Sequence, residues 1–297
     1  MTETLYERLI AKVISFVEAA RIPRYLSRTK NNIFDVRQHI ALQVLQRYEN
    51  KPLRKFVEWL AISRIPDLLG LPRIPHFDAL NKFALRVKPM WLDAIIARIA
   101  MSICGEFRLG IDSTGFQPTN SSAYYRSRTG RPIKHFTKLS GAVELNTKLL
   151  VAVKVRKLRI HDNKDFIPLL NKVRKHGRIR AVLADAAYDS EANLTFVRTE
   201  LLASPIIAMK YAEKPLAKTK GFYRKRLKRA WPLLKPYYGK RALTETAWSV
   251  LKRCYGSALQ SRSFRGQKAE LLFKVIAYDA ERAARFFVFK LTFDKAE

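Results

Sequence analysis

Acidic residues are scarce in this chain: 25 Asp and Glu stand against 57 Lys and Arg in 297 residues, a formal net charge of +32. That imbalance points to a polyanionic partner, DNA or RNA ahead of an anionic membrane surface. It names a partner class and no activity, since a ribosome-associated protein would carry the same excess. Cysteine is nearly absent as well, and Cys104 with Cys254 can build neither a disulfide framework nor a zinc cluster. A reduced, cytosolic setting is the expectation, close to the nucleoid if the partner is DNA. No apolar run reaches the roughly 18 residues a membrane span needs. The opening TETLYERLI, with Glu3 and Glu7, does not read as a signal peptide. An apolar share of 48%, including 17 Phe, is enough to furnish a core, which excludes global disorder.

Residues 1–102 read as a helical domain. Leu5, Leu9, Val13 and Val17 recur at helical spacing, and Asn32 or Asp35 suits the cap of a helix carrying Ile40, Ala41, Val44 and Leu45. Leu53 to Leu60 forms a third segment. Pro66, Gly70, Pro72 and Pro75 then break the chain before a helix near Asp78 to Val87. Short helices joined by tight turns suit a DNA-end-binding domain, with Asn81, Lys82 and Arg86 on a groove-facing helix, but plain helical packing gives the same pattern.

The character changes near Glu106. Phe107, Leu109 and Ile111 alternate with Glu106, Arg108, Gly110 and Asp112, so a strand is expected to end at Asp112. Residues 135–145 and 148–158 read as a hairpin about Asn146-Thr147. A helix within His161 to His176, a strand from Ile179 to Ala184, a helix from about Ser190 to Leu202 and a strand from Ser204 to Met209 follow. Residues 103–290 therefore read as an α/β domain, a mixed sheet with flanking helices. A closing helix from about Gln267 to Phe287 is expected to pack on that sheet through Leu271, Val275, Tyr278 and Ala283.

A basic insertion at about 211–240 interrupts the alternation. Lys214 to Arg241 holds 11 Lys or Arg, no acid, and Phe222, Tyr223, Trp231, Tyr237 and Tyr238. A solvated loop is one reading. Rings among cations favour the other, a grip on nucleic acid through Arg224, Lys225, Arg226, Lys228 and Arg229.

Beyond it, YGKRALTETAWSVLK sets Tyr238, Arg241, Glu245, Trp248 and Lys252 at helical intervals, one carboxylate framed by cations. Arg241 and Lys252 suit phosphates, which position a backbone without reading it. Tyr238 could support a phosphate or act as a covalent nucleophile, and the supporting role is preferred because carboxylates are at hand. Trp248 could stack on a displaced base or belong to the core.

Metal-assisted phosphodiester chemistry needs a few hard carboxylates holding two divalent ions about 3.5–4 Å apart. Asp112 and Asp185, each closing an apolar run, and Glu245 make that set, with magnesium the expected ion and manganese able to substitute. Each acid has a plainer reading. Asp112 could cap a turn, Glu245 could be a surface partner of Arg241, and one of Asp185 and Asp189 is expected to cap the next helix, with Asp189 preferred.

Ile111-Asp112-Ser113-Thr114, Leu183-Ala184-Asp185-Ala186-Ala187-Tyr188-Asp189 and the Tyr238, Arg241, Glu245, Lys252 set together resemble the DDE transposases of insertion sequences, in the group with a Y-x2-R-x3-E-x6-K signature. Leu69 to Leu80 resembles that family's N-terminal helical region. The resemblance implies a ribonuclease-H-like core with Asp112, Asp185 and Glu245 as metal-binding, catalytic acids. It implies cutting at terminal inverted repeats and joining of 3′ ends to target DNA, by a homo-oligomer in a synaptic complex. Some relatives carry a β-rich insertion before the glutamate, whereas only 60 positions separate Asp185 from Glu245, so the compact form matches better. A metal-dependent nuclease without strand joining, a non-catalytic DNA-binding protein and an RNA-associated structural protein are the competing readings.

Overall fold

Reciprocal caps start the first two helices of the computed structural model, which describes residues 4–26, 33–118, 128, 136–157 and 161–293. Thr4 and Glu7 cap α1 (Leu5–Ala19), and Asp35 and Gln38 cap α2 (Val36–Tyr48), each pair satisfying backbone N–H groups that a helix start leaves open. Asp35 is thus the cap at α2, while Asn32 lies outside the described residues. Short helices α3 (Leu53–Ala61), α4 (Ile65–Leu68) and α5 (Phe77–Arg86) follow, then α6 (Pro89–Ile103). The chain divides into two compact units, one built mainly from Met1–Ile99 and Leu251–Glu297, the other from Ala100–Gln117 and Ser121–Val250.

In the first unit α2 has no polar face: Ile40, Leu42, Val44 and Leu45 are buried beside Gln43, Gln46 and Arg47. A helix buried all round needs neighbours on every side, and α1, α5 and the long C-terminal helix supply them. That helix was expected to lie on the sheet. Its apolar residues Leu271, Val275, Tyr278 and Ala283 are buried as foreseen, but within its unit it packs on α1, α2 and α5. The reason is ionic as well as apolar. Glu270, 1% exposed, faces Arg47 of α2 and Lys274, and accepts the N–H groups of Gln260 and Ser261. Lys274 donates to the carbonyls of Gly256 and Ala258. Burial pushes the Lys274 ammonium down to about 8. Burial opposes the Glu270 charge too, yet Arg47, Lys274 and the two N–H groups hold its carboxyl below the ordinary range.

The second unit is the expected mixed sheet with helices on both faces. Strands β1 (Glu106–Pro118), β2 (Thr137–Glu144), β3 (Leu150–Arg156), β4 (Arg178–Ala184) and β5 (Ser204–Ile207) lie in the order β3-β2-β1-β4-β5. β1 is antiparallel to β2 and parallel to β4, which is parallel to β5. Alternation sends Leu109, Ile111, Val182 and Ala184 to one face, against Phe166, Leu169, Leu170 and Val173 of α7 (Asn163–Val173). Leu183 and Ile206 turn to the other face, under Leu234 and Tyr238 of α9 (Phe222–Tyr238).

Three local expectations change. β1 does not stop at Asp112, because its antiparallel ladder with β2 continues to Phe116. The helix expected from Ser190 is α-helical only over α8 (Glu191–Thr195) and widens to a π-turn over Phe196–Glu200. The basic insertion is no loop: 17 of its residues form α9, with Pro232 and Pro236 inside the helix. No helix among the described residues is long and apolar enough to cross a membrane.

Removing the Glu270 carboxylate would leave Arg47 and Lys274 buried with no counter-charge. Glu270→Ala is expected to cost about 3–5 kcal/mol in urea unfolding. A loss under about 1 kcal/mol would show that the cluster does not hold this unit together.

Candidate active site

Two strands and one helix deliver three acids to one face of the sheet. The parallel β1–β4 ladder closes at the pair Ile111 and Ala184, so Asp112 and Asp185 are the next residue on each strand. β4 ends there, which sets both acids at the carboxyl edge of a parallel pair, where ligand sites collect in such sheets. The Ser113 N–H donates to Asp112 Oδ1 at 2.8 Å. Asp185 Oδ1 accepts the Ala187 N–H at 2.9 Å and so caps the 3-10 turn Ala186–Tyr188.

Glu245 arrives on α10 (Ala242–Tyr255), in its first turn. Gly110 and Asp112 share a face of β1, and Gly141 is the cross-strand partner of Asp112 on β2. α10 uses those two glycines as its seat. A Cβ on Gly110 would fall 2.1 Å from Thr244 Cγ2, and one on Gly141 would fall 2.7 Å from Trp248 Cη2. Thr244, Ala247 and Trp248 form the buried stripe of α10, and Glu245 rides on its exposed flank.

Charge ties the group together. Burial raises the Asp112 carboxyl above its ordinary range; the Ser113 N–H and Arg241 pull it down, while Asp185 and Glu245 push it further up. Arg241 Nη2 donates to Glu245 Oε1 at 2.5 Å, the plain i,i+4 pairing weighed from the sequence. Tyr238 rests against Trp231 at 5.4 Å between ring centroids. Burial raises its phenol above the ordinary range, and Arg241, Asp185 and Glu245 all act on it. A phenol held neutral in this way suits hydrogen bonding better than nucleophilic attack.

The other named residues divide. Trp248 is 5% exposed and covers Gly141, so it is a core indole with no face open to a base. Asp189 is not the helix cap; Ser190 is, accepting the Asn193 N–H. Asp189 instead accepts two bonds from Arg224, at 2.9 and 2.7 Å, and the Lys210 N–H at 2.8 Å. Arg224 is thereby committed to the fold, whereas Lys225, Arg226 and Arg229 stand exposed on α9. Lys228 donates to the Lys214 carbonyl, and Lys252 lies half-buried in the last turn of α10, where burial pushes its ammonium down.

Sequence reasoning passed over Asp162 and Tyr188. Ser113 Oγ donates to Asp162 Oδ1 at 2.9 Å, and Lys138 pairs with the same carboxylate. Tyr188 is buried, and its phenol is pushed far up by burial and by Asp162, Asp112 and Asp185. The Tyr of Asp185-Ala186-Ala187-Tyr188 carried a signal for this; Asp162 carried none.

Among the described residues no three His, Cys, Asp or Glu side chains are gathered closely enough to enclose an ion. The donor chemistry nonetheless fits a hard divalent cation: three carboxylates, one of them raised by its like-charged neighbours. Glu245 is the acid that has to turn away from Arg241 to join the other two.

The family model described as Transposase DDE domain matches residues 108–279, which contain all three acids. Among solved structures, the chain is similar to one described as a cryo-EM structure of a piggyBac transposase synaptic complex with hairpin DNA. Identity is 11% and the TM-score 0.51, covering 97% of this chain and 75% of that one. The fold is accordingly ribonuclease-H-like, with a helical region at its N-terminal end.

Two outcomes follow from this geometry. Gly141→Ala should destabilise the protein by about 1–3 kcal/mol in chemical denaturation, because the Trp248 ring has nowhere to retreat; an unchanged midpoint would mean that α10 is not seated there. Arg241→Gln should make Asp112 titrate at a higher pH than in wild type, read by carbon-detected carboxyl NMR. An unmoved or lowered Asp112 would separate Arg241 from the acid group.

Proposed function

The chain belongs to the transposase DDE-domain family, and we propose that it cuts DNA at the terminal inverted repeats of an insertion sequence and joins the freed 3′ ends to target DNA. The observation that carries this reading is the delivery of Asp112, Asp185 and Glu245 to one sheet face by β1, β4 and α10. These are the proposed catalytic and metal-binding acids. Two magnesium ions, or manganese in their place, would supply an activated attacking oxygen and neutralise the leaving one.

The chain's own groups account for the rest. Asp112 and Asp185 are held by backbone N–H groups, so their orientation is set before any ligand arrives. Arg241 is a switchable partner: it balances Glu245 in the free protein and can pass to a phosphate oxygen when Glu245 turns inward. Tyr238 and Lys252 would support the backbone on either side. Lys225, Arg226 and Arg229 would hold flanking duplex through phosphate contacts, which position without specifying.

The N-terminal helical region, residues 1–102, is the proposed reader of the element's ends, and residues 103–290 contain the catalytic part. Asn81, Lys82 and Arg86 are exposed on α5, as a groove-facing helix requires. Assembly as a homo-oligomer on paired ends is proposed by extension from the synaptic complex named for the piggyBac protein. Such a protein would work at the nucleoid.

The deciding experiment is magnesium-dependent cutting and joining of labelled duplexes that carry the element's ends. Asp185→Asn and Glu245→Gln should each lose about 100-fold or more, the scale felt when one electrostatic stabiliser of a transition state is removed, while duplex binding persists. Cut ends with no joined product would leave a nuclease. Duplex binding with no cutting by folded wild type would leave a DNA-binding protein.

A further inference from the structure

Away from the three acids, the second unit has a cavity of about 330 Å³ whose walls are nearly all cationic. Lys210, Lys214, Lys218, Lys220 and Lys228 line it, together with Arg224 and Asp189. The single carboxylate is spent, because Asp189 is fully buried and takes two bonds from Arg224 and a third from the Lys210 N–H. Among the described residues no carboxylate pairs with Lys210, Lys214, Lys218 or Lys220, and all four are exposed.

Like charges around so small a space repel, and an unstructured loop would spread them apart. This one is pinned at both ends. The Asp189 contacts fix Lys210 and Arg224 on opposite sides of the loop. Glu191 accepts the N–H groups of Tyr223 and Arg224 and so closes the start of α9. Gly221, at φ +95°, makes that approach possible, since a Cβ there would lie 2.1 Å from Glu191 Oε2. Lys228 donates to the Lys214 carbonyl and draws the loop across its own helix. The repulsion is therefore held in place by hydrogen bonds that contribute nothing to neutralising it.

We propose that this cavity is an anion subsite that takes a phosphodiester group of the DNA backbone, separate from the catalytic acids. The proposal rests on the transposase reading for the identity of the polymer, but not for the chemistry of the site. It also moves the grip from Arg224, which the fold consumes, to the loop Lys210–Lys220. Five ammonium groups with no planar fork suit a phosphate as a point charge and carry no base readout.

The test uses the full chain and two probes. In calorimetric titration with inorganic pyrophosphate, Lys218→Gln combined with Lys220→Gln should weaken binding about fivefold or more. Lys175→Gln with Arg178→Gln removes the same charge from exposed positions elsewhere and should change it less than about twofold, since beyond a Debye length charges are screened. On duplex DNA, the cavity pair should lower the slope of log K against log salt by about 1.8, two phosphate contacts at about 0.9 each. Lys218→Arg with Lys220→Arg should restore both readouts, and unchanged melting temperatures would exclude unfolding as the cause. Equal losses from the two Gln pairs, no pyrophosphate binding by wild type, or an unchanged salt slope would each overturn the proposal. Cavity-dependent pyrophosphate binding in a protein that neither cuts nor joins DNA would sink the transposase reading and leave the phosphate site standing.

Discussion

The close seat of α10 on the sheet is the constraint from which the rest of the candidate site follows. Glycine at positions 110 and 141 removes two Cβ atoms from neighbouring strands, and Thr244 and Trp248 fill the space left. The helix then lies closer to the backbone than any larger residue would allow, and its register is fixed by a side chain on each strand. Glu245 follows Thr244 in sequence, so the same contact that buries Thr244 sets Glu245 on the flank beside Asp112. The acids are brought together by packing, since their charges alone would drive them apart.

That arrangement creates an electrostatic load that the protein bears in two ways. Backbone N–H groups and a cap hold Asp112 and Asp185, while Arg241 answers Glu245. The Arg241–Glu245 pair adds little stability, because the glutamate side chain is 59% exposed and such pairs are screened. Its consequence is orientation: a guanidinium waits beside the acids, within reach of whatever anion the site receives. Asp189 and Arg224 form the contrasting pair. Asp189 is fully buried and bidentately bound, so removing either partner would strand the other in a poorly solvated place.

Much of the sheet was legible from period-two alternation, and the three acids from their places at the ends of apolar runs. What escaped has physical causes. β1 continues past Asp112 because β2 supplies partners as far as Phe116, a tertiary effect that no local pattern announces. Trp248 shares a helical face with Glu245 in the sequence, yet the buried stripe cuts between them, and only the glycines beneath reveal where. Pro232 and Pro236 argued against a helix in the basic segment; α9 forms because its apolar side packs on β5 and α8. The C-terminal helix displayed the right apolar residues but not their partners, since Glu270 meets Arg47 more than 200 positions away in the chain.

The chain's charge takes on structure when these elements are compared. Arg224, Arg241, Lys138 and Lys274 are cations with assigned acids, and each fastens something: a loop, a glutamate, a strand, a turn. Lys210, Lys218, Lys220, Lys225 and Arg229 are exposed on one loop and the helix after it, with no acid in the segment from Lys214 to Arg241 to answer them. Spending the few carboxylates on fastening leaves the excess positive charge concentrated beside the acids' own unit instead of spread evenly. A polyanion meeting that surface is held by charge first and aligned second, and the acids, being fixed in advance by packing, need no rearrangement beyond the turning of Glu245.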